Sequence, residues 1–215
     1  GSIRIPSACC GVVGFKPTFA AIDTKDTITY SYSMDHIGPM GKYVSDCAQI
    51  FSSMLGYVDE PLWAYSKINL SGLKIGRLCG YFEEPLDRIV RHAIDHLCEL
   101  LVTCGANVEN ADISLASATP DIARTLSYVE GAAYNAFRLK KGAAKLGPDV
   151  TEKLEKGTVI PGILYIHAQQ VRLKIAEEFN SLFNRFDILI CPTLRSTVPL
   201  VGAEHVAIDN NNYPL

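Results

Sequence analysis

Apolar residues recur along the chain with two different periods, which indicate helices in some stretches and strands in others. A long helical pattern covers residues 87–104, and Gly105 ends it. Short strands are predicted on either side of this pattern, at residues 73–78, which glycines bound, and at residues 106–109. A strand, helix, strand order is the unit from which parallel sheets are built. The sequence therefore predicts an α/β fold.

Further helices are predicted where apolar positions keep a helical spacing. The short helix at residues 46–55 has Ser45 or Asp46 as its expected N-cap. The other predicted helices cover residues 120–141 and 162–184.

Residues 187–191 read as a buried strand that opens directly onto Pro192 and Thr193. Because ligand sites in α/β sheets collect at the carboxyl ends of strands, this corner is predicted to line a pocket. Loops and short strands are predicted for residues 1–33, and variable loops that shape the pocket for residues 142–160. No regular element is predicted after Gly202.

Composition narrows the class of protein. The chain has 215 residues, of which 48% are hydrophobic and 20% charged, as in a globular protein of one large or two small domains. The net charge is −3 and no basic block is present, which disfavours direct nucleic-acid binding. Neither a membrane-spanning apolar run nor the layout of a signal peptide is visible, so a cytoplasmic protein without membrane contact is expected.

Cysteine and histidine spacing does not indicate a metal site. The seven cysteines include no CxxC pair and are interpreted as reduced and mostly buried. His92 and His96 have the i, i+4 spacing of a metal pair, but no third ligand accompanies them. No metal and no cofactor are predicted.

Two further residue patterns give little support for a functional site. Asp35 and His36 suggest a Ser-His-Asp site only if a distant serine joins them. The glycines of the chain do not form a phosphate-binding motif, so nucleotide binding has no support.

The strongest local pattern lies at Ser2, which follows Gly1 and precedes the stretch Ile3-Arg4-Ile5-Pro6. Glycine beside a nucleophile is chemically sensible, because an oxyanion needs backbone N–H donors that no Cβ shields. The residues alone leave other interpretations open: Ser2 as a turn residue, or Gly1-Ser2 as the remnant of a cleaved tag.

This stretch, continued by Gly11-Val12-Val13-Gly14-Phe15-Lys16-Pro17-Thr18, resembles the second half of the glycine- and serine-rich motif of the amidase signature enzymes. Three more blocks follow in the family's order, and the four together span nearly the whole chain. They are Ser33-Met34-Asp35-His36-Ile37-Gly38-Pro39-Met40, Tyr165-x-x-Ala168-Gln169-x-x-Arg172, and Phe186-Asp187-Ile188-Leu189-Ile190-Cys191-Pro192-Thr193.

The resemblance implies a three-layer α/β/α fold around a central mixed sheet. It makes Ser2 the acyl-accepting nucleophile, with backbone at Gly1 contributing to the oxyanion hole. The family completes a Ser-cisSer-Lys triad with a lysine and a second serine that precede this motif, and Lys16 does not match that lysine. Residues 1–215 are therefore expected to be a partial amidase domain, without the N-terminal portion that carries those two groups and without the extreme C-terminal portion.

Arg172 is the other candidate site residue. The resemblance implies that it binds the α-carboxylate of glutamine in the relatives that transfer ammonia to mis-acylated tRNA. The competing interpretation is a structural arginine paired with Glu177 or Asp187. Arg4 is interpreted as support for the loop around Ser2.

The function expected from the resemblance is hydrolysis of a small-molecule carboxamide by an amidohydrolase. One alternative is the glutamine-hydrolysing A subunit of a tRNA-dependent amidotransferase, which has partner subunits. A catalytically inactive fragment or scaffold is the alternative from another class.

Overall fold

A computed structural model describes residues 2–57, 69–141, 146–209 and 211–214, and within these ranges the strand, helix, strand prediction for residues 73–109 is confirmed. Strand β3 covers Lys74–Leu78, helix α3 covers Arg88–Thr103, and strand β4 covers Asn107–Ala111. The two strands pair in parallel. Asp87 caps the helix by accepting a hydrogen bond from the Ile89 amide at 2.7 Å.

Strand β5, Ile188–Ile190, completes this sheet on the other side of β3, again in parallel, so the strand order is β4-β3-β5. Gly76 lies in the middle of β3. A Cβ there would meet Leu189 and the buried ring of Phe186, so only glycine lets the sheet and that ring approach so closely. Parallel strands joined through helices confirm the α/β class.

The chain divides into two compact units, each assembled from separate stretches of sequence. The first unit comprises Gly1–Phe15, Pro39–Ala116 and Glu177–Leu215, and it contains the parallel sheet. The second comprises Lys16–Gly38 and Ser117–Ala176. Its helices are α4 (Thr119–Tyr134), α5 (Ala136–Lys140), α6 (Pro148–Val159) and most of α7 (Gly162–Phe183).

The start of the chain is helical where loops and strands were predicted. Helix α1 covers Arg4–Cys10, and the buried Ser7 hydroxyl donates to the Ile3 carbonyl at 2.7 Å, one turn back. The helix ends at Gly11, whose φ of 65° is the left-handed conformation that glycine adopts readily. A short strand, β1 (Val13–Gly14), follows and pairs antiparallel with β2 (Met40–Gly41).

Helix α2, Val44–Met54, begins earlier than predicted. Asp46 is not the N-cap; it lies in the first turn, where its carboxylate accepts from the Tyr43 amide at 2.9 Å. Of the predicted apolar stripe, Cys47 is buried, whereas Ile50 and Met54 are exposed. Because its buried surface is narrow, the apolar spacing located this helix but not its first residue.

Two predictions for the second unit are wrong in detail. The helix predicted at residues 120–141 is broken at Asn135 into α4 and α5, and the buried Asn135 side chain donates to the Gly131 carbonyl at 3.0 Å. The loops predicted at residues 142–160 are replaced from Pro148 onward by α6, while residues 142–145 lie outside the described ranges. In α6 the buried positions are Leu154 and Gly157, a stripe too thin to give a clear helical period.

The segment after Gly202 forms a hairpin, although no element was predicted there. Strand β6, His205–Ile208, pairs antiparallel with β7, Asn211–Pro214. Of the residues described after Gly202, only Ile208 is buried, which leaves too few buried apolar positions for a visible alternation.

The cysteines are all free, as predicted, but their expected burial is wrong: Cys47 is buried, and Cys10, Cys104 and Cys191 are exposed. Within the described ranges, no helix combines the length and apolarity that a bilayer crossing requires.

Candidate active site

Ser2, the predicted nucleophile, lies exposed in the turn that leads into α1, in the first unit. Gly1, the predicted oxyanion-hole residue, lies outside the described residues. The structure thus leaves the Ser2 side chain accessible, as a nucleophile requires.

The segment that carries Ser2 is held by close packing one turn further on. A Cβ on Gly14 would overlap the Ser7 side chain and lie 2.9 Å from the Ile3 carbonyl oxygen. The Val12 amide also donates to the Ser7 carbonyl at 3.0 Å. Because β1 packs directly on α1, the start of the helix has a defined position.

The carboxyl end of β5 lies within electrostatic reach of this helix. Although the Cys191 residue as a whole is exposed, partial desolvation of its thiol raises the thiol pKa, and the positive charge of the exposed Arg4 opposes that rise. Cys191 directly follows β5 and precedes Pro192 and Thr193, the corner predicted from the sequence to line a site.

An ionic cluster that the sequence analysis did not predict fixes the chain after β3. The Arg77 guanidinium donates to both oxygens of the buried Glu83, at 2.7 and 2.9 Å, and lies 2.7 Å from Asp95. Hydrogen bonding to Glu83 is the main reason that the pKa of Arg77 is raised. Arg91 donates to the Glu83 carbonyl at 3.0 Å. Because these charges neutralise one another, we assign the cluster to support rather than to proton transfer.

In the second unit, a buried carboxylate organises a network that was also missed. Glu130, on α4, is 2% exposed. Its Oε2 accepts from the Ser31 hydroxyl at 2.6 Å and the Ser33 amide at 3.1 Å; its Oε1 accepts from the Ser33 hydroxyl at 2.7 Å and the Tyr165 hydroxyl at 3.1 Å. Burial alone raises the pKa of this carboxyl, but the hydrogen bonds from Ser31, Ser33 and Tyr165 outweigh it, so the pKa is lowered.

Ser31 and Ser33 belong to a tight turn, residues 30–35, which we call the serine turn. The Asp35 carboxylate closes it by accepting from the amides of Tyr30 and Ser31, at 2.7 and 3.1 Å. The Asp35 carboxylate therefore stabilises the backbone of the serine turn. His36 turns its Nδ1 to the Met34 carbonyl at 2.7 Å, so the Ser-His-Asp arrangement considered from the sequence is not formed.

Tyr165, on α7, is the polar neighbour of Glu130. It accepts from the Gln169 side chain at 2.9 Å, and its hydroxyl lies 3.0 Å from that of Tyr32. Burial raises the pKa of Tyr165 to about 12; the contacts with Tyr32 and Glu130 add to this rise, and the hydrogen bond from Gln169 opposes it. Since the single Tyr165 proton points to Glu130, Tyr32 donates to Tyr165.

Arg172 is half-buried on α7, and its contacts differ from the structural pairing considered for it. Its Nη1 donates to the Ser33 hydroxyl and its Nη2 to the Ser33 carbonyl, both at 2.9 Å. Among the described residues it forms no ion pair, whereas Asp187 accepts from the Lys74 amide in the other unit. A pairing with Glu177 or Asp187 is therefore wrong.

His92 and His96 stack on the surface of α3, with ring centroids 6.4 Å apart. Within the described ranges no third metal-binding side chain joins them.

The sequence analysis missed Glu130 because its partners come from distant parts of the chain. Three residues of this network, Ser33, Tyr165 and Gln169, lie in the family-like blocks, but the sequence analysis assigned no role to them. The one local indication was the run of small residues after Glu130, Gly131-Ala132-Ala133, which is typical of a helix face in close packing.

Comparison with known protein families defines the class more narrowly than the α/β fold alone. The family model described as Amidase matches residues 1–214. The chain therefore belongs to the amidase family, and the resemblance to the amidase signature enzymes is confirmed.

Individual relatives support the assignment to the amidase family. The chain is 30% identical to the A subunit of the glutamyl-tRNA(Gln) amidotransferase of Lachnospira eligens, over 94% of this chain and 49% of the relative. It is 28% identical to the AtzE subunit of the 1-carboxybiuret hydrolase of Pseudomonas sp., over 100% of this chain and 48% of the relative. A crystal structure of an amidase superposes with a TM-score of 0.86 and 26% identity, over 100% of this chain and 48% of that one. The chain thus spans about half the length of the relatives that it matches.

Proposed function

We propose that the protein is an amidohydrolase that releases ammonia or an amine from a small-molecule carboxamide, with Ser2 as the nucleophile. The observation that carries this proposal is the match of the amidase family model to residues 1–214, which includes the turn in which Ser2 is exposed. No cofactor is needed for this reaction.

The chemistry follows from the weakness of a serine hydroxyl as a nucleophile at neutral pH. A neutral lysine removes the hydroxyl proton through a second serine in a cis peptide, and both groups come from the part of the full-length enzyme that precedes Ser2. The Ser2 oxygen then bonds to the amide carbon, while backbone N–H groups at Gly1 hold the oxyanion. The C–N bond breaks, the amine leaves with the transferred proton, and water hydrolyses the acyl-serine ester to the carboxylic acid.

Arg172 has the proposed role of a substrate-binding residue. A guanidinium carries five N–H donors in a planar fork that fits a carboxylate. The described residues occupy two of them, both with neutral oxygens of Ser33. The positive charge of Arg172 and its remaining N–H donors are therefore left to bind a substrate carboxylate.

A second candidate within the family is the glutamine-hydrolysing subunit of a tRNA-dependent amidotransferase. It is favoured by the name of the Lachnospira eligens relative and by an arginine free of carboxylate partners among the described residues, which suits an amino-acid substrate. In that case the protein has amidotransferase partner subunits and does not itself bind nucleic acid, as the net charge of −3 suggests. The free cysteines fit the reducing cytoplasm in either case.

The Ser2→Ala substitution in the full-length enzyme tests the nucleophile. We expect ammonia release from the amide to fall by at least about a thousandfold, because no other group forms the acyl intermediate. Mass spectrometry after treatment with a fluorophosphonate should locate the adduct on the Ser2 peptide.

Ser53→Ala is the matched control, because Ser53 is an exposed serine of the same unit whose hydroxyl, within the described ranges, donates to the Gln49 carbonyl of its own helix. Its activity should equal that of the parent. Unchanged turnover in Ser2→Ala would refute the nucleophile, and a correctly folded full-length enzyme without activity on any amide would favour the inactive scaffold.

A further inference from the structure

The Ser33 hydroxyl joins two charged side chains of the second unit that do not touch each other directly. It lies 2.7 Å from Glu130 Oε1 and 2.9 Å from Arg172 Nη1. The Ser33 carbonyl accepts from Nη2 of the same guanidinium at 2.9 Å. Two contacts to one residue fix both the position and the rotation of the guanidinium plane.

The direction of each hydrogen bond follows from the chemistry of the groups. Arginine has no acceptor, so the Ser33 oxygen must accept from Arg172. The single proton of that hydroxyl must then point to Glu130. Both Glu130 oxygens only accept, each from two donors, so neither of them carries a proton. Glu130 receives three more donors and is almost fully buried, which keeps its charge in place.

A buried carboxylate needs a reason, because burying a charge is costly even when hydrogen bonds satisfy it. A direct Glu–Arg pair would be the common solution, but it would occupy the guanidinium fork. The intervening serine orients the arginine while leaving its remaining N–H groups without a carboxylate among the described residues.

We propose that Glu130 is a positioning residue: through the Ser33 hydroxyl it fixes the guanidinium of Arg172 so that the remaining donors bind a carboxylate on the substrate. This rests on the proposed amidohydrolase function, and specifically on Arg172 as its carboxylate-binding residue. Glu130 itself touches neither the substrate nor the reacting atoms.

Two serines of the serine turn provide a matched test. Ser31 and Ser33 both donate a hydroxyl to Glu130, at 2.6 and 2.7 Å, but only Ser33 also contacts Arg172. Ser33→Ala therefore removes the connection, whereas Ser31→Ala removes an equivalent bond to Glu130 and leaves the connection in place. Ser33→Thr retains the hydroxyl and should restore the parent behaviour.

The kinetic probes are glutaramate and butyramide, which have the same carboxamide and differ by the carboxylate. In the full-length enzyme we expect Ser33→Ala to raise KM for glutaramate at least about tenfold, or 1.4 kcal/mol, with kcat nearly unchanged. KM for butyramide should stay within about twofold. Ser31→Ala should affect both probes alike, and equal effects of Ser31→Ala and Ser33→Ala would overturn the proposal.

Arg172→Ala separates a failure of this proposal from a failure of the proposed function. If Arg172→Ala does not impair hydrolysis of glutaramate more than that of butyramide, the substrate-binding role of Arg172 is refuted. If neither probe is hydrolysed, the proposed function fails for these substrates. In both cases the positioning of Arg172 is decided by a measurement that needs no activity. The measurement is the rate at which phenylglyoxal modifies Arg172, followed by peptide mass spectrometry with the exposed Arg124 as internal standard.

We expect Glu130→Gln and Ser33→Ala each to accelerate that modification at least about threefold, and Ser31→Ala to leave it unchanged. Glu130→Gln replaces one carboxylate oxygen with an NH2 group, which faces hydrogen-bond donors that the oxygen had accepted. The Ser33 hydroxyl therefore loses its fixed direction. Equal rates in all variants would show that Glu130 does not position Arg172.

Discussion

Two carboxylates in the second unit have a lowered pKa for different physical reasons. Glu152, on α6, is exposed and pairs with Lys156 at 2.5 Å, a solvent-screened contact that adds little to stability. Glu130 is buried and held by four donors, so its charge is part of the packing. The direction of the pKa shift is the same, but only at Glu130 does the fold depend on the charge.

This difference predicts how stability responds to pH. The pKa of Glu130 is lowered from its ordinary value of 4.5, so the stabilisation by the ionised carboxylate is complete above that pH and is lost as pH falls through the lowered pKa. Glu130→Gln should lower the free energy of unfolding by about 2 kcal/mol at neutral pH. Denaturant titrations of both proteins should show this gap narrowing below pH 4.5; a gap that is constant with pH would contradict the prediction.

At this scale the sequence offers candidates for single site residues but not their hydrogen-bond partners. Arg172 and Ser2 are predicted from family-like blocks and stay predictions, and the partner expected for Arg172 was wrong because Ser33 lies 139 residues away in sequence. Glu130 had no pattern of its own, since a buried glutamate looks like any other helix glutamate until the serine turn is folded against it.

At the scale of elements, α4 and α6 approach each other very closely in the second unit. A Cβ at Gly157 would overlap the Tyr128 carbonyl and lie 2.8 Å from the Ala132 Cβ. The helix that carries Glu130 is therefore packed backbone to backbone against its neighbour, and no side chain can give way at that point.

Gly157→Ala should therefore destabilise the protein by about 1–3 kcal/mol through overpacking, although alanine favours helices. Gly162→Ala is the control, because Gly162 begins α7 with nothing within 4 Å of the added Cβ. It should be neutral or slightly stabilising. Thermal unfolding of the two variants measures the difference, and equal melting temperatures would contradict the close packing.

Elements with a long apolar period or a fully apolar run were predictable, as α3, α7 and β5 show. Strands β3 and β4 contain polar residues and were located by the glycines beside them and by the strand, helix, strand order. The missed elements bury very little. Helix α1 buries Ser7 and is stabilised by a single-turn hydrogen bond and a glycine cap, and α6 buries one leucine and one glycine. Their stability comes from contacts with other elements, which leave no period in the sequence.

At the scale of the whole molecule, the division into two units was not visible in the sequence. A linker or a shift in composition marks a boundary only when each unit is one continuous stretch. Here both units are assembled from separate stretches, and the boundaries fall within otherwise ordinary sequence, one of them inside α7.

The cysteines provide a test of packing that covers the whole chain. In the native protein, a maleimide should modify the exposed Cys10 and Cys104 first and the buried Cys47 last. Peptide mass spectrometry at increasing times gives the order, and all seven should react after denaturation. Modification of Cys47 as fast as Cys104 would show that the packing of α2 on β1 and β2 is wrong.

The hydrogen bond between Ser31 and Glu130 also constrains when the second unit can fold during synthesis. The two residues are separated by 99 positions, and much of the first unit is encoded between them. At about 5–20 residues per second, a ribosome needs roughly 5–20 s to make that interval. The serine turn therefore leaves the ribosome well before its carboxylate exists, and the second unit closes only after most of the parallel sheet's chain has been made.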